Sequence, residues 1–128
     1  MSARGTESER LLAQVLARGV DDWVSEDELI DVAADAGITA HQDRLTVALG
    51  IIAQGILCDL IEPGDISEDG FIPWSLSKTD SVERIVTEWI RRSVEDPYPG
   101  QIVWLRNTAN GDRLGEIALM GEEPDSNG

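Results

Sequence analysis

The sequence predicts an α+β domain: three N-terminal helices, a small antiparallel sheet and a fourth, strongly amphipathic helix. Three observations carry this. Thr6-x-x-Glu9, Ser25-x-x-Glu28 and Thr39-x-x-Gln42 each repeat the hydroxyl-then-Glu/Gln spacing that satisfies two orphan amides at a helix start. A turn-rich stretch over residues 62–70 lies between two short apolar runs. Val82, Ile85, Val86, Trp89, Ile90 and Val94 then recur at helical spacing as one apolar stripe.

The elements follow in order. After the Thr6 cap, Leu11, Leu12, Val15 and Leu16 form one face of a first helix, which Gly19 ends. Val20–Val24 reads as a short extended link. A second helix runs from Ser25 to about Ala36, with Leu29, Ile30, Val32 and Ala33 inward and Gly37 as its stop. A third begins after Thr39 and carries Leu45, Ala48, Leu49, Ile52 and Ile56. Leu57–Ile61 is expected as a strand, Pro63-Gly64 as the centre of a type II turn, Asp69-Gly70 as a second turn and Phe71–Leu76 as the returning strand. Pro97 and Pro99 close the fourth helix, and Gln101–Asn107 is a third strand candidate. Residues 109–119 have two readings. Asn110-Gly111 suits a two-residue hairpin that would pair Trp104 with Ile117. Thr108 could instead cap a helix with Leu114, Ile117 and Ala118 on one side, and this reading is preferred.

This order of elements resembles a winged helix-turn-helix domain, with residues 62–70 as the wing. Trp104-Leu105-x-x-Thr108-x-x-Gly111-x-x-Leu114 is similar to the strand-then-helix ending of winged-helix regulators, which supports the helical reading of the C-terminus. Gly64–Trp74 is similar to stretches in small proteins of high-GC bacteria, and nine arginines against the single Lys78 point to the same genomic bias. The resemblance spans about residues 6–119, implies the fold and carries over no functional residue. A single domain is expected over 6–120, between frayed tails at 1–5 and 121–128.

At 128 residues and 41% hydrophobic content the chain can bury a core without metal or disulfide staples. No apolar run reaches the ~20 residues of a membrane helix, and no secretory signal pattern is present at the N-terminus. Cys58, the only cysteine, sits in an apolar run and is expected as a small core residue, with the cytoplasm as the default compartment. The net charge is −15, and residues 19–77 hold thirteen acids against Arg44 alone.

That charge decides among functions. The helix-turn-helix offers Gln42, Arg44 and Thr46 as base readers, and Arg84, Arg91 and Arg92 on the fourth helix as further cations. Around them stand Glu26, Asp27, Glu28, Asp31, Asp35, Glu62, Asp65, Glu68 and Asp69, where phosphate binding needs positive charge. Nucleic acid is therefore the lesser reading, a winged-helix transcriptional regulator its concrete form.

Asp65-x-Ser67-x-Asp69-Gly70 imitates the start of a calcium loop, but Leu76 stands where the bidentate Glu belongs, so no metal or other cofactor is expected. One His (His41, a first-turn residue), one Cys and no Gly-rich phosphate loop leave no nucleophilic or zinc constellation, so no catalytic residue is assigned. The preferred expectation is a non-catalytic module that binds a basic protein, as immunity proteins, antitoxins and DNA mimics do, through Asp27, Asp31, Asp35, Glu62, Asp65, Glu68, Asp69 and Trp74. Trp23 and Trp74 flank the acidic block as candidate aromatic anchors.

Overall fold

The computed structural model describes residues 7–92 and 99–121. Along the chain run α1 (Glu7–Arg18), β1 (Val24–Ser25), α2 (Glu26–Asp35), α3 (His41–Leu57), β2 (Ile61–Ser67), β3 (Gly70–Pro73), α4 (Lys78–Arg92), β4 (Trp104–Asn107) and α5 (Ala109–Gly121). The fold is α+β, with five helices and one four-stranded antiparallel sheet in the order β1-β4-β2-β3. Thr6, Val94, Pro97 and the expected tails, apart from Gly121, lie outside the described residues; Gly121 itself ends α5.

The second cap holds: Ser25 precedes α2 and its N–H donates to the Glu28 carboxylate at 3.2 Å. The third is corrected. Ala40, not Thr39, is the N-cap of α3 and gives no side-chain bond. Arg44 does the local work there, donating from Nε to the Ile38 carbonyl at 2.6 Å. Gly37 stops α2 as expected, at φ +94°. Its N–H reaches Ala34 and that of Ile38 reaches back to Ala33, the paired bonds of a left-handed helix ending.

α3 ends with the same pair of bonds, Asp59 N–H to Ile56 and Leu60 N–H to Gly55, with Asp59 at φ +63°. This overturns the expected strand over Leu57–Ile61. Helical bonding carries on through Leu57, and residues 58–60 turn the chain at the surface. Leu57 and Cys58 are therefore exposed, and Cys58 is not a core residue.

Pro63-Gly64 is likewise no turn. Both lie in β2, paired with Leu105 and Trp104, and Gly64 is needed because a Cβ there would strike the Ile72 carbonyl and the Phe71 ring. The reversal falls later, where Ser67 faces Gly70 and Glu68-Asp69 make the two-residue loop. The returning strand ends at Pro73, and β4 starts only at Trp104.

Residues 109–121 form a helix, not a hairpin. Thr108 Oγ1 accepts the Gly111 N–H at 3.1 Å as its cap and donates to the Asp59 carbonyl at 2.7 Å. The Thr108 N–H also reaches the Leu60 carbonyl at 3.0 Å, so the ending of α3 and the start of α5 are riveted together.

The core lies between the helices and the inner sheet face. Leu11, Leu12, Val15 and Leu16 of α1 meet Leu29 and Val32 of α2, Ile51, Ile52 and Ile56 of α3, and Val24, Ile61 and Leu105 of the sheet. From α4, Ile85 and Trp89 enter it with Val82 beside them, whereas Ile90 is exposed, so the stripe is narrower than its sequence pattern. Trp89 is fully buried, yet its indole N–H has no hydrogen-bond partner among the described residues.

Two substitutions separate these contributions. Trp89→Ala empties a large core volume and is expected to cost about 3–5 kcal/mol. Trp89→Phe keeps most of the ring contacts and removes a buried donor that itself costs about 1–3 kcal/mol, so it should lose less than half as much. Urea unfolding of both proteins measures this; equal losses would mean that the indole N–H is satisfied.

Candidate partner surface

The site residues expected from sequence fall into two groups, at opposite edges of the sheet. Asp27, Asp31 and Asp35 lie on α2, which follows the edge strand β1; Glu62, Asp65, Glu68, Asp69 and Trp74 belong to the β2–β3 hairpin and its exit. With three inter-strand steps between β1 and β3, the two edges are about 14 Å apart. On α2 the spacing of four places the three Asp side chains along one helix face, with Asp31 and Asp35 exposed and Asp27 half-buried. Arg18 approaches this face, 3.9 Å from Asp35 and 3.5 Å from Glu28. The Ser25 hydroxyl donates to Asp27.

At the other edge Trp74 is half-buried, and the structure explains its pose from three sides. Its N–H donates to the Pro63 carbonyl at 3.1 Å, its indole Nε1 donates to Asp65 Oδ2 at 3.0 Å, and the Arg84 guanidinium lies 3.9 Å above its ring. The ring borders a recess of about 240 Å³ shared with Glu62, Leu76 and Lys78. Ile72 and Leu76 nearby are exposed, as are Glu68 and Asp69 at the hairpin tip. This is an apolar spot with an acidic rim.

The residues that imitate a calcium loop do not wrap around a centre. Asp65 and Ser67 lie along an extended strand, Asp65 receives the Trp74 indole, and the Ser67 hydroxyl accepts the Asp69 N–H at 3.1 Å. Among the described residues no group of three or more His, Cys, Asp or Glu side chains is placed to hold a metal.

The outer sheet face adds a region not singled out from the sequence. Strand register puts Glu62, Phe71 and Arg106 on the face opposite Ile61 and Leu105. Arg106 stacks 4.5 Å over Phe71 and reaches Glu62 at 3.0 Å, while Trp23 meets Phe71 with ring centroids 6.1 Å apart. Beside them opens a hollow of about 480 Å³, lined by Asp21, Asp22 and Asp112 together with Trp23 and Arg106. Only Trp23 was signalled, as an anchor; Asp112 arrives through the helical form of residues 109–121.

The cations are engaged within the chain. Arg10, Arg18, Lys78, Arg91, Arg92 and Arg106 pair with acids. Arg44 binds the Ile38 carbonyl, Arg113 the Asn110 side chain, and Arg84 covers Trp74. Of the base-reading candidates, Arg44 is thus half-buried and tied to the Ile38 carbonyl, and Thr46 donates to the Gln42 carbonyl at 3.0 Å. Arg91 and Arg92 both hold Glu88, whose carboxyl Arg91 chiefly keeps below its ordinary value.

Family models, curated proteins and solved structures were compared with the chain, and none matches.

Sequence reasoning passed over one residue that governs this geometry. Glu26 is fully buried, and its carboxylate accepts the N–H groups of Gly100 at 3.2 Å, Ile102 at 2.8 Å and Val103 at 3.3 Å. A signal existed: Glu26 precedes Leu29 and Ile30 by three and four positions, so it falls on the apolar face of α2. Burial pushes its carboxyl above the ordinary value, against the pull of backbone donors, Ile102 first.

Because the folded-state value is raised, the stability linked to Glu26 titration is fully present below the unfolded carboxylate pKa and is lost as pH rises through the folded one. Glu26→Gln removes this titration and leaves one of the amide donors facing an NH₂ group. The stability of the parent relative to Glu26→Gln should therefore grow as pH falls from neutral through the raised value, then level off. Urea midpoints between pH 7.5 and pH 4 check the sign, and a difference that shrinks with acid would refute it. Glu26→Ala strands two buried donors, Ile102 and Val103, and the half-buried Gly100, and should cost on the order of 3 kcal/mol at any of these pH values.

Proposed function

We propose that the chain is a non-catalytic, acidic protein-binding module of winged-helix type that docks a basic partner protein, in the manner of an immunity protein, antitoxin or DNA mimic. The fold reading is supported by the order α1-β1-α2-α3-β2-β3, with the β2–β3 hairpin as the wing. In this chain β4 enters the sheet between β1 and the hairpin and α5 follows it, an elaboration of that plan.

The observation that carries the functional reading is the asymmetry of charge engagement. Every described Lys and Arg is held by an acid, a carbonyl, an amide or a ring of its own chain, while Asp31, Glu68 and Asp69 remain exposed and Asp65, though it receives the Trp74 indole, is exposed as well. A duplex would meet repulsion from this surface and find few cations to neutralise its phosphates. A basic protein would be steered towards it, with Trp74 as the anchor at the wing edge.

Two measurements test the proposal. Fluorescence polarisation with a random 30-base-pair duplex at low salt should show no binding. Micromolar binding that weakens steeply with salt would favour a DNA-binding regulator acting through Gln42, Arg44, Thr46, Arg84, Arg91 and Arg92. In affinity capture followed by mass spectrometry, the parent chain should retain a protein of high isoelectric point. Trp74→Ala should weaken that complex by about 2 kcal/mol, roughly thirtyfold, and charge reversal at Asp65 and Asp69 should slow association. Capture that is indifferent to all three changes would sink the assignment.

A further inference from the structure

The hollow of about 480 Å³ on the outer sheet face has no part in the wing reading. Asp21, Asp22 and Asp112 border it, and among the described residues none of the three pairs with a lysine or arginine. Asp22 uses one oxygen to accept the Trp23 N–H at 2.8 Å, and Asp112 uses one to accept the Asn107 amide at 3.1 Å. Carboxylates alone would make only a solvated rim.

Asn107 adds a buried acceptor. It is 9% exposed, and its NH₂ group is spent on the Leu16 carbonyl and on Asp112. Both of those neighbours are acceptors, so the orientation of the amide is fixed and Oδ1 lies on its other side. Oδ1 rests against Gly19, whose missing side chain leaves it room, and it accepts no hydrogen bond from the described residues. Gly19 and Asn107 both line the hollow, so this oxygen is presented at its wall.

Trp23 selects the kind of cation. Elsewhere on this surface a ring beside an acid is roofed by a guanidinium: Arg106 over Phe71 with Glu62 at hand, and Arg84 over Trp74 with Asp65 at hand. Trp23 has the acids but, among the described residues, no cation over its ring. We propose that the hollow binds a guanidinium group carried on an aliphatic chain, stacked on Trp23 and donating to Asp21, Asp22, Asp112 and Asn107 Oδ1. A guanidinium is planar and weakly hydrated, and it presents five donors in one plane, whereas an ammonium is a strongly hydrated point charge. The volume suits an organic ligand, since small-molecule sites run from about 300 to 1,000 Å³. A metal ion is the poorer fit, because the acids here are not grouped to hold one.

The group has two sources, an arginine side chain of a protein or a free guanidino amine. NMR titrations of the ¹⁵N-labelled full chain with N-acetylarginine methylamide and with agmatine separate them: tighter binding of the first assigns a protein side chain, of the second a free amine. Saturable shifts are expected at the Trp23 indole N–H and the Asn107 NH₂, with a Kd on the order of 1 mM for ligands of this size. N-acetylcitrulline methylamide, a neutral isostere, should bind at least tenfold more weakly. Asp21→Asn and Asp112→Asn each keep an acceptor oxygen and should weaken binding about fivefold. Trp23→Leu keeps apolar bulk, removes the ring face and should weaken it about threefold. Asp65→Asn and Trp74→Ala should leave it unchanged, so the wing reading stands or falls separately. Shifts that never saturate, equal binding of the citrulline compound, or binding that survives Asp21→Asn and Asp112→Asn together would mean a diffuse counter-ion cloud and overturn the inference.

Discussion

The carboxylate of Glu26 joins the first turn of α2 to backbone 76 residues further along the chain, and the sheet depends on that junction. Residues 102 and 103 are buried, but β4 begins only at Trp104, so their amides have no strand to bond. Buried amides must find acceptors, and the two oxygens of Glu26 supply them. The consequence spreads because β4 lies between β1 and β2. Were residues 100–103 not fixed, the two-residue strand β1 would lose its partner among the described strands and the hairpin would lose the strand that joins it to β1. An isolated hairpin of this size has little stability of its own.

A second set of contacts locks the end of β4 and α5 against α1. Asn107 is buried and donates to the Leu16 carbonyl at 2.9 Å and to Asp112 at 3.1 Å. Gly19 provides the space, since a Cβ there would collide with the Asn107 amide. Thr108 then caps α5 and holds the turn after α3, and the two helix glycines bring α5 against α1. Two polar side chains and three glycines thus set the path of the C-terminal segment, where the apolar pattern alone was ambiguous.

Helix positions were legible in the sequence wherever an apolar period and a stop signal agreed. Leu11–Leu16 with Gly19, and Leu29–Ala33 with Gly37, are cases in point. Boundaries failed where one signal stood for two geometries. Pro63-Gly64 is a turn pair by composition, yet it lies in a strand because Gly64 must clear Phe71 and the Ile72 carbonyl. Leu57 through Ile61 is apolar enough for a strand, yet the helical bonds of α3 reach further before Asp59 breaks them. The acids of the candidate surface could be named from the sequence, but their division between α2 and the hairpin could not. That separation follows from β4 entering between β1 and β2, a long-range pairing with no local mark. Glu26 was visible only as an acid among acids, although its helical phase set it apart.

Among the described residues, the core helices pack on the sheet face that carries Val24, Ile61 and Leu105, and on the other face Phe71 is covered by side chains. Phe71 sits on that outer face and yet is only 8% exposed, because Arg106 lies over its ring and Trp23 packs at its edge. Arg106 can do this because its apolar stem covers the ring while its head reaches Glu62. The cover therefore uses the only described cation between Arg92 and Arg113, and the neighbouring Asp21, Asp22 and Asp112 are left around a hollow of their own sign. The same pattern recurs at Trp74, where Arg84 shields the ring and Asp65, Glu68 and Asp69 keep the field negative. In both places an arginine protects an aromatic ring from water. A partner that brings its own arginine or lysine could replace that cover, gaining the ring and the surrounding acids together.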